Sequence, residues 1–364
     1  MKLEELLKTT VRVRASDVFI KTGQTPAWRV DGIVRRDILP EDKRPVLTAE
    51  MVDDLCREVL RERSLEAFAE TGEADAAYEA EDLGRFRVNV FRQRERTGMV
   101  FRHLPHQIPS FEELNLPAKQ LRKLCDKRRG LVLITGIAGS GKSTCLASMV
   151  DYINERHPCH IVTVEDPIEF VHSDKRALIE QRELGLDTQS FAAALKHVVR
   201  QSPDVILIGE MRDQETMEAA INAAETGHLV LSTLHTVNAV QTVERIIGYF
   251  PPHLHDLVRM QLAMILEGAI SLRLLRRKDK PGRVPAVEVL MATPTVREML
   301  EKGRTRELPS ALRDGGYFGT QTFGQSLKKL LDADAISQED ALASADNPEE
   351  LRLELKGIVR GSDR

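Results

Sequence analysis

The chain has 364 residues, 42% hydrophobic and 30% charged, with a formal net charge of −4 and a pI of about 6.2. That length accommodates two domains; the mild acidity gives no electrostatic footprint for nucleic acid, and 4% aromatics supply no base-stacking surface. No apolar run approaches the ~20 residues that span a bilayer.

Met1–Lys8 sets two glutamates among its leucines and reads as an amphipathic helix rather than a signal peptide, so the chain is expected in the cytoplasm. Asp17–Lys21 and Ala27–Asp31 predict strands, the second closing on an Asp31-Gly32 turn of hairpin type. Thr48–Ala69 has apolar residues at helical spacing and predicts one amphipathic helix. Gly84–Phe91 alternates like a half-buried strand. These elements predict a small α+β domain over 1–102. Pro105, Pro109 and Pro117 then punctuate a connecting stretch placed at 103–118. Four cysteines, Cys56, Cys125, Cys145 and Cys159, stand singly; without a Cys-x-x-Cys pair they read as reduced, packed thiols.

From residue 119 the pattern changes to apolar strands separated by helices: Leu131–Thr135, Ile161–Val164, Val205–Ile208 and Leu229–Ser232. Continuous apolar runs suit a parallel sheet covered on both faces, so 119–290 predicts a doubly wound α/β domain. Its first strand runs into Gly136-Ile-Ala-Gly-Ser-Gly-Lys-Ser143, the full Walker A spacing. Glycines let successive N–H groups turn inward around an anion. Lys142 reaches the β- and γ-phosphates of a nucleoside triphosphate, and the Ser143 hydroxyl ligates Mg²⁺. The helix opening near Ser143 adds its positive end. Gly136, Ala138, Gly139, Ser140, Gly141, Lys142, Ser143 and Thr144 are therefore the candidate site for a nucleoside triphosphate.

A phosphate loop alone gives binding, so hydrolysis requires acids. Ile161–Glu169 is a strand ending in carboxylates, which places Glu165 and Asp166 toward the nucleotide, to deprotonate water or hold Mg²⁺ through water; a surface Glu-Asp-Pro turn is the alternative. Pro203–Asp213 carries Glu210 to the same edge on a strand like Walker B, with Gly209 where the usual aspartate would stand. Glu210 then serves the metal; a helix-capping glutamate is the alternative. In Ala224–Thr236, His228 and His235 flank an apolar strand seven residues apart, on opposite faces by strand alternation, which argues against one shared metal. His235 is the candidate γ-phosphate sensor. Arg85, Arg87, Arg92, Arg94, Arg96 and Arg102 form either a solvated basic face or a source of guanidinium charge for phosphoryl transfer. Arg273–Arg283 reads as a basic stretch ending in a polar turn.

Beyond residue 290 the chain predicts helices over 291–357 and a frayed tail over 358–364. Thr322–Gln325 and Ser337–Asp340 resemble capping boxes, and Asn347-Pro348 opens a further short helix.

Together these segments resemble the type II/type IV secretion ATPase superfamily, most closely its pilus-retraction members of the PilT and PilU type. Ala15–Phe19 and Arg29–Gly32 look like the family's N-terminal strands, and Arg85–Asn89 with Val100–Arg102 like its arginine-bearing sheet. Val164–His172 is similar to its "Asp box", Ala224–Thr236 to its "His box", and Gly319–Phe323 to the start of its C-terminal helices. The resemblance implies a PAS-like N-terminal domain, a RecA-like P-loop ATPase domain and C-terminal helices, assembled as a homo-hexamer. ATP and Mg²⁺ would sit between domains, with Glu165 as general base, Glu210 as the partner of Mg²⁺, and Asp166, His228, Arg87 and Arg102 among the nucleotide contacts. It further implies pilus retraction and twitching motility, at the cytoplasmic face of the inner membrane. The implied partners are a platform protein, the pilus base and a paralogous retraction ATPase, and not nucleic acid. A missing four-cysteine metal module fits retraction better than assembly. Two departures stand out. The family's Ala-Ile-Arg-Asn-Leu-Ile-Arg-Glu-Gly-Lys motif reads Thr295-Val-Arg-Glu-Met-Leu-Glu-Lys-Gly-Arg304 here, which leaves force coupling open. Arg200–Asp204 looks more like PilU and Leu234–Thr236 more like PilT, so an accessory, regulatory paralogue is the second expectation. A RecA-like nucleic-acid translocase is the third, disfavoured by charge and aromatic content.

Overall fold

Asp31 and Gly32 both take positive φ (49° and 82°), which lets a two-residue turn join strands whose register pairs Val30 with Ile33. The computed structural model describes residues 2–80, 83–104 and 107–356. The expected tail, 358–364, lies outside these, as do Pro105 and His106 of the connecting stretch. The chain divides into two compact units, Met1–Gln107 and Ile108–Arg364.

In the first unit, α1 (Leu3–Arg12) precedes β1 (Asp17–Lys21), β2 (Ala27–Val30) and β3 (Ile33–Arg35). Then come α2 (Ala49–Val59), α3 (Glu62–Thr71), β4 (Glu73–Ala80), β5 (Gly84–Gln93) and β6 (Arg96–Leu104). The strands form one antiparallel sheet in the order β3-β2-β1-β6-β5-β4. Trp28, Phe86, Val88 and Phe101 from the sheet bury against Leu3, Leu6, Val52 and Leu55 from the helices. The Trp28 indole N–H donates to Thr10 Oγ1 at 3.0 Å, so the ring is buried without an orphaned donor. The single helix expected over Thr48–Ala69 is two: Leu60 turns extended (ψ 131°), and the break lets α3 fold back and add Phe68 to the core. Strand β4 escapes the pattern reading because it is an alanine- and acid-rich edge strand without a fully buried residue.

In the second unit, α4 (Ala118–Cys125) precedes β7 (Gly130–Thr135), α5 (Lys142–Arg156), β8 (His160–Glu165), β9 (Leu178–Glu183) and α6 (Phe191–Val198). They are followed by β10 (Val205–Ile208), α7 (Gln214–Glu225), β11 (Leu229–Leu234), α8 (Ala239–Gly248) and α9 (His255–Ile265). The sheet closes with β12 (Leu266–Arg276) and β13 (Arg283–Met291), in the order β13-β12-β7-β11-β10-β8-β9. All neighbours run parallel except the β12–β13 hairpin. Alternate residues feed two cores: Leu131, Leu133, Val162 and Ile206 face one, while Val132, Ile134, Ile161 and Leu207 face the other. That double burial is why these strands read as uninterrupted apolar runs. The expected four parallel strands are present; β9, β12 and β13, with more polar residues, extend the sheet beyond them. Phe111, within the expected connecting stretch, is buried in the second unit's core.

The C-terminal helices are α10 (Pro294–Glu301), α11 (Leu308–Asp314), α12 (Phe323–Asp332), α13 (Gln338–Ala343) and α14 (Pro348–Leu355). Thr322 and Gln325 form the expected reciprocal capping box. Ser337 caps in one direction only, accepting from the Asp340 N–H; an aspartate side chain is shorter than the glutamate such a box uses, and here it accepts from the Ser337 hydroxyl. Phe323, Leu327, Ile336 and Leu351 make a satellite core with Leu275, Val284 and Ala286 of the hairpin.

Candidate active site at the carboxyl edge of the parallel sheet

Strands β7, β8, β10 and β11 end at one edge, because their parallel register aligns Thr135 with Leu234 and Ile208 with both Val164 and Ser232. Residues just after those ends therefore converge. After β7 comes the phosphate loop. Gly136 has φ 147°, and a Cβ there would lie 2.6 Å from the Leu272 carbonyl, so only glycine lets the loop leave the sheet. Gly141, at φ 94°, delivers the chain into α5, whose first residue is Lys142. The Lys142 ammonium is buried and donates to the Gly136 and Ile137 carbonyls at 2.8 and 3.0 Å. Burial lowers its pKa, and Glu210 and Glu169 oppose that shift. The Ser140 hydroxyl is buried without a hydrogen-bond partner. An anion held in the loop would satisfy such donors, so these residues fit a bound polyphosphate. Ser143 and Thr144 follow in the first turn of α5, both half-buried.

Glu165 closes β8. Its Oε1 accepts from Thr163 Oγ1 at 2.7 Å and from Gln181 Nε2 at 3.1 Å. By surface area Glu165 is only partly buried, yet dense surroundings raise its pKa to about 7, against hydrogen bonds from Thr163, Gln181 and the Glu169 backbone that favour the ionised form. Gln181, on β9, was not singled out from the sequence. Its amide also donates to the Phe170 carbonyl at 2.9 Å and its oxygen accepts from the His172 N–H at 2.8 Å, so both ends are fixed. Only the β8–β9 pairing brings it to Glu165, 16 positions away in sequence.

Glu210 follows β10. The Gly209 N–H donates to the Val164 carbonyl at 2.8 Å, and Thr233 Oγ1 donates to the Gly209 carbonyl at 2.7 Å. A Cβ at residue 209 would press on the Glu165 backbone at 3.3 Å. The glycine standing where a Walker B strand usually carries aspartate thus lets the β8 and β10 ends close together. Glu210 pairs with Arg212 Nη2 at 2.8 Å and with His235 Nε2 at 3.2 Å. Arg212 also approaches Asp166 at 3.9 Å. Glu165, Asp166, Glu210 and His235 thus sit at the edge where the phosphate loop begins.

His228 does not. It precedes β11, its carbonyl accepts from the Gly130 N–H at the start of β7, and its Nδ1 lies 2.9 Å from the Ala223 carbonyl. Six strand residues at ~3.3 Å each separate it from His235. His228 thus stands at the end of β11 remote from the phosphate loop of its own chain. The length of β11 alone keeps the two histidines apart.

In the first unit, Arg87 on β5 is directly opposite Arg102 on β6. Arg102 Nε donates to Asp17 at 3.0 Å, and Arg29 pairs with the same carboxylate at 3.2 Å. Among the described residues no helix is long and apolar enough to cross a membrane.

The family model "Type II/IV secretion system protein" matches residues 2–307. The chain is 43% identical to the type IV pilus ATPase PilU of Pseudomonas aeruginosa, over 98% of this chain and 92% of the relative. It is 42% identical to that organism's type IV pilus retraction ATPase PilT, over 96% of this chain and 99% of the relative. Its fold matches the crystal structure of the pilus retraction motor PilT with bound ADP: TM-score 0.89 at 41% identity, covering 97% of this chain and 99% of the other.

Proposed function

The chain belongs to the type II/IV secretion system protein family, and from that premise we propose that it is an ATP-hydrolysing motor that drives type IV pilus retraction. The observation that carries this is the whole-length likeness to the ADP-bound retraction motor. Lys142 and the loop Gly136–Ser143 bind the phosphates. Glu165 takes the proton from the attacking water, supported by a pKa of about 7 that balances ionisation against basicity. Ser143 and Glu210 would hold Mg²⁺, Glu210 through water, which fits their polar, partly exposed side chains at one edge. When bound, the ion neutralises charge on the β- and γ-phosphates. His235 reads the γ-phosphate while Glu210 orients it, and Asp166 with Arg212 adds charge at the rim. Arg87 and Arg102 are proposed to close on the nucleotide from the first domain. The domains are taken as 1–102 and 119–290, with 103–118 between them and 291–357 following. We place the motor as a homo-hexamer at the cytoplasmic face of the inner membrane, engaging a platform protein at the pilus base.

The test uses purified full chain. ATP turnover abolished by Lys142→Ala is the expected result, and tight ATP binding without turnover in the unaltered protein would sink the enzyme reading. In cells, loss of the gene leaves surface pili that fail to retract, and normal twitching in the deletion overturns the assignment to retraction.

A second reading, an accessory paralogue modulating another retraction motor, is favoured by the stretch 295–304. Val296, Met299 and Leu300 bury in the core, but Glu301 and Lys302, where the family's Arg-Glu order is reversed, are exposed. The departure thus falls on surface available to a partner and leaves the fold intact. Deleting the gene beside a functional paralogue, with twitching as readout, separates the two readings.

A further inference from the structure

A line of polar groups crosses the apolar sheet at the root of the phosphate loop. Ser271 on β12 is paired with Thr135 on one side and with Glu288 of β13 on the other. All three are buried, two of them completely. Thr135 Oγ1 donates to Ser271 Oγ at 2.9 Å, and Ser271 Oγ reaches Glu288 Oε1 at 3.5 Å. The same Glu288 oxygen accepts from the Ala239 N–H at 2.7 Å. Thr135 is the last residue before the phosphate loop, and Ala239 is the first residue of α8, directly after segment 235–238.

That segment is therefore tied at three places. His235 pairs with Glu210 at the catalytic edge. Arg273 Nη2 donates to the Val237 carbonyl at 3.1 Å, while its guanidinium stacks 3.7 Å from the Phe323 ring centroid. Glu288 holds the far end through the Ala239 N–H. A buried carboxylate is an expensive choice beside an apolar sheet. Its strong acceptor satisfies the helix N-terminus, where negative charge is favoured.

We propose that Glu288 is a positioning residue for ATP hydrolysis: by joining the root of the phosphate loop to the start of α8, it holds segment 235–238 so that His235 stays aligned with Glu210. This rests on the reading that His235 and Glu210 act on the nucleotide.

The experiment is a double-mutant cycle on the full-length protein, with kcat and KM for ATP measured separately and folding followed by circular dichroism. Glu288→Ala is expected to lower kcat by about tenfold to a hundredfold, the effect of a small misplacement at a reacting centre, with KM nearly unchanged. Glu288→Gln, which keeps an acceptor for Ala239, is expected to recover most of that loss. His235→Ala combined with Glu288→Ala should be no slower than His235→Ala alone, because the two act through one contact. Glu288 borders a cavity of about 180 Å³ that is partly open to solvent, so water can occupy the space that truncation leaves. If Glu288→Ala nevertheless fails to fold, Ser271→Ala and Glu288→Gln enter the cycle in its place. Multiplicative losses in the double variant, or equal loss in Glu288→Ala and Glu288→Gln, overturn the proposal while leaving His235 in its role. Wild-type turnover in His235→Ala overturns both the proposal and the role of His235.

Discussion

The ends of β8 and β10 carry glutamates of one residue type at one sheet edge, in opposite surroundings. Glu165 accepts from neutral donors, Thr163 and Gln181 among them, and burial, helped by the nearby Glu169 charge, pushes its carboxyl up to about 7. Glu210 is paired with the cationic Arg212 and with His235. Different neighbours suit the two acids to different tasks: a carboxyl near neutrality exchanges protons at cellular pH, whereas the Glu210 oxygens are already engaged by a guanidinium and an imidazole that hold them in place. Sequence spacing treats the two strand-terminal acids alike, and their neighbours distinguish them.

The largest effect is expected from removing the proposed proton acceptor. Glu165→Gln should cut kcat by about 10²–10⁴ while a fluorescent ATP analogue still binds; retained turnover would erase the distinction between the two acids. Glu210→Gln should instead raise the Mg²⁺ concentration needed for half-maximal turnover, by roughly 10–100-fold if it orients the metal's water shell. An unchanged Mg²⁺ titration would reduce Glu210 to a counter-charge for Arg212.

The pH profile sharpens the contrast. As the proposed general base, Glu165 has to be ionised to accept a proton, so kcat/KM should rise with pH through about 7. Thr163→Val and Gln181→Leu remove donors that favour the ionised form, so each should move that limb upward, by about one unit. A downward move, or none, would mean these contacts do not set the acid. The smallest effect is on stability. Between pH 4.5 and about 7 the folded chain holds a proton on Glu165 that the unfolded chain has lost, so this group's contribution falls as pH rises. Glu165→Gln should therefore be more stable than the parent at pH 8, by on the order of 1–3 kcal/mol, and nearly equal at pH 5. Denaturant melts at both values check it.

Much of the architecture is written locally. Runs such as Leu131–Thr135 are apolar on both faces because both faces are covered, and Gly136–Ser143 announces itself by spacing. The elements that escaped are those whose burial depends on distant partners. Strand β9 is polar over its last four residues at the sheet edge, and β4 contributes no fully buried side chain. The interruption at Leu60 leaves the helical spacing of its neighbours intact, so periodicity ran straight across it.

Within the site the division is similar. Lys142, Glu165, Glu210 and His235 are each one strand end from a legible apolar run, and the parallel register then forces them together. The sequence by itself determined which residue types stand at those ends, since the strand-loop-helix pattern is short-range chemistry. Tertiary structure decided what surrounds them. Gln181 reaches Glu165 from 16 positions away, Ser271 reaches Thr135 from 136, and Glu288 reaches Ala239 from 49. It also left His228 at the opposite end of β11. Hydrogen bonds and desolvation act over a few ångströms of space, and only sheet pairing sets which distant residues share those ångströms.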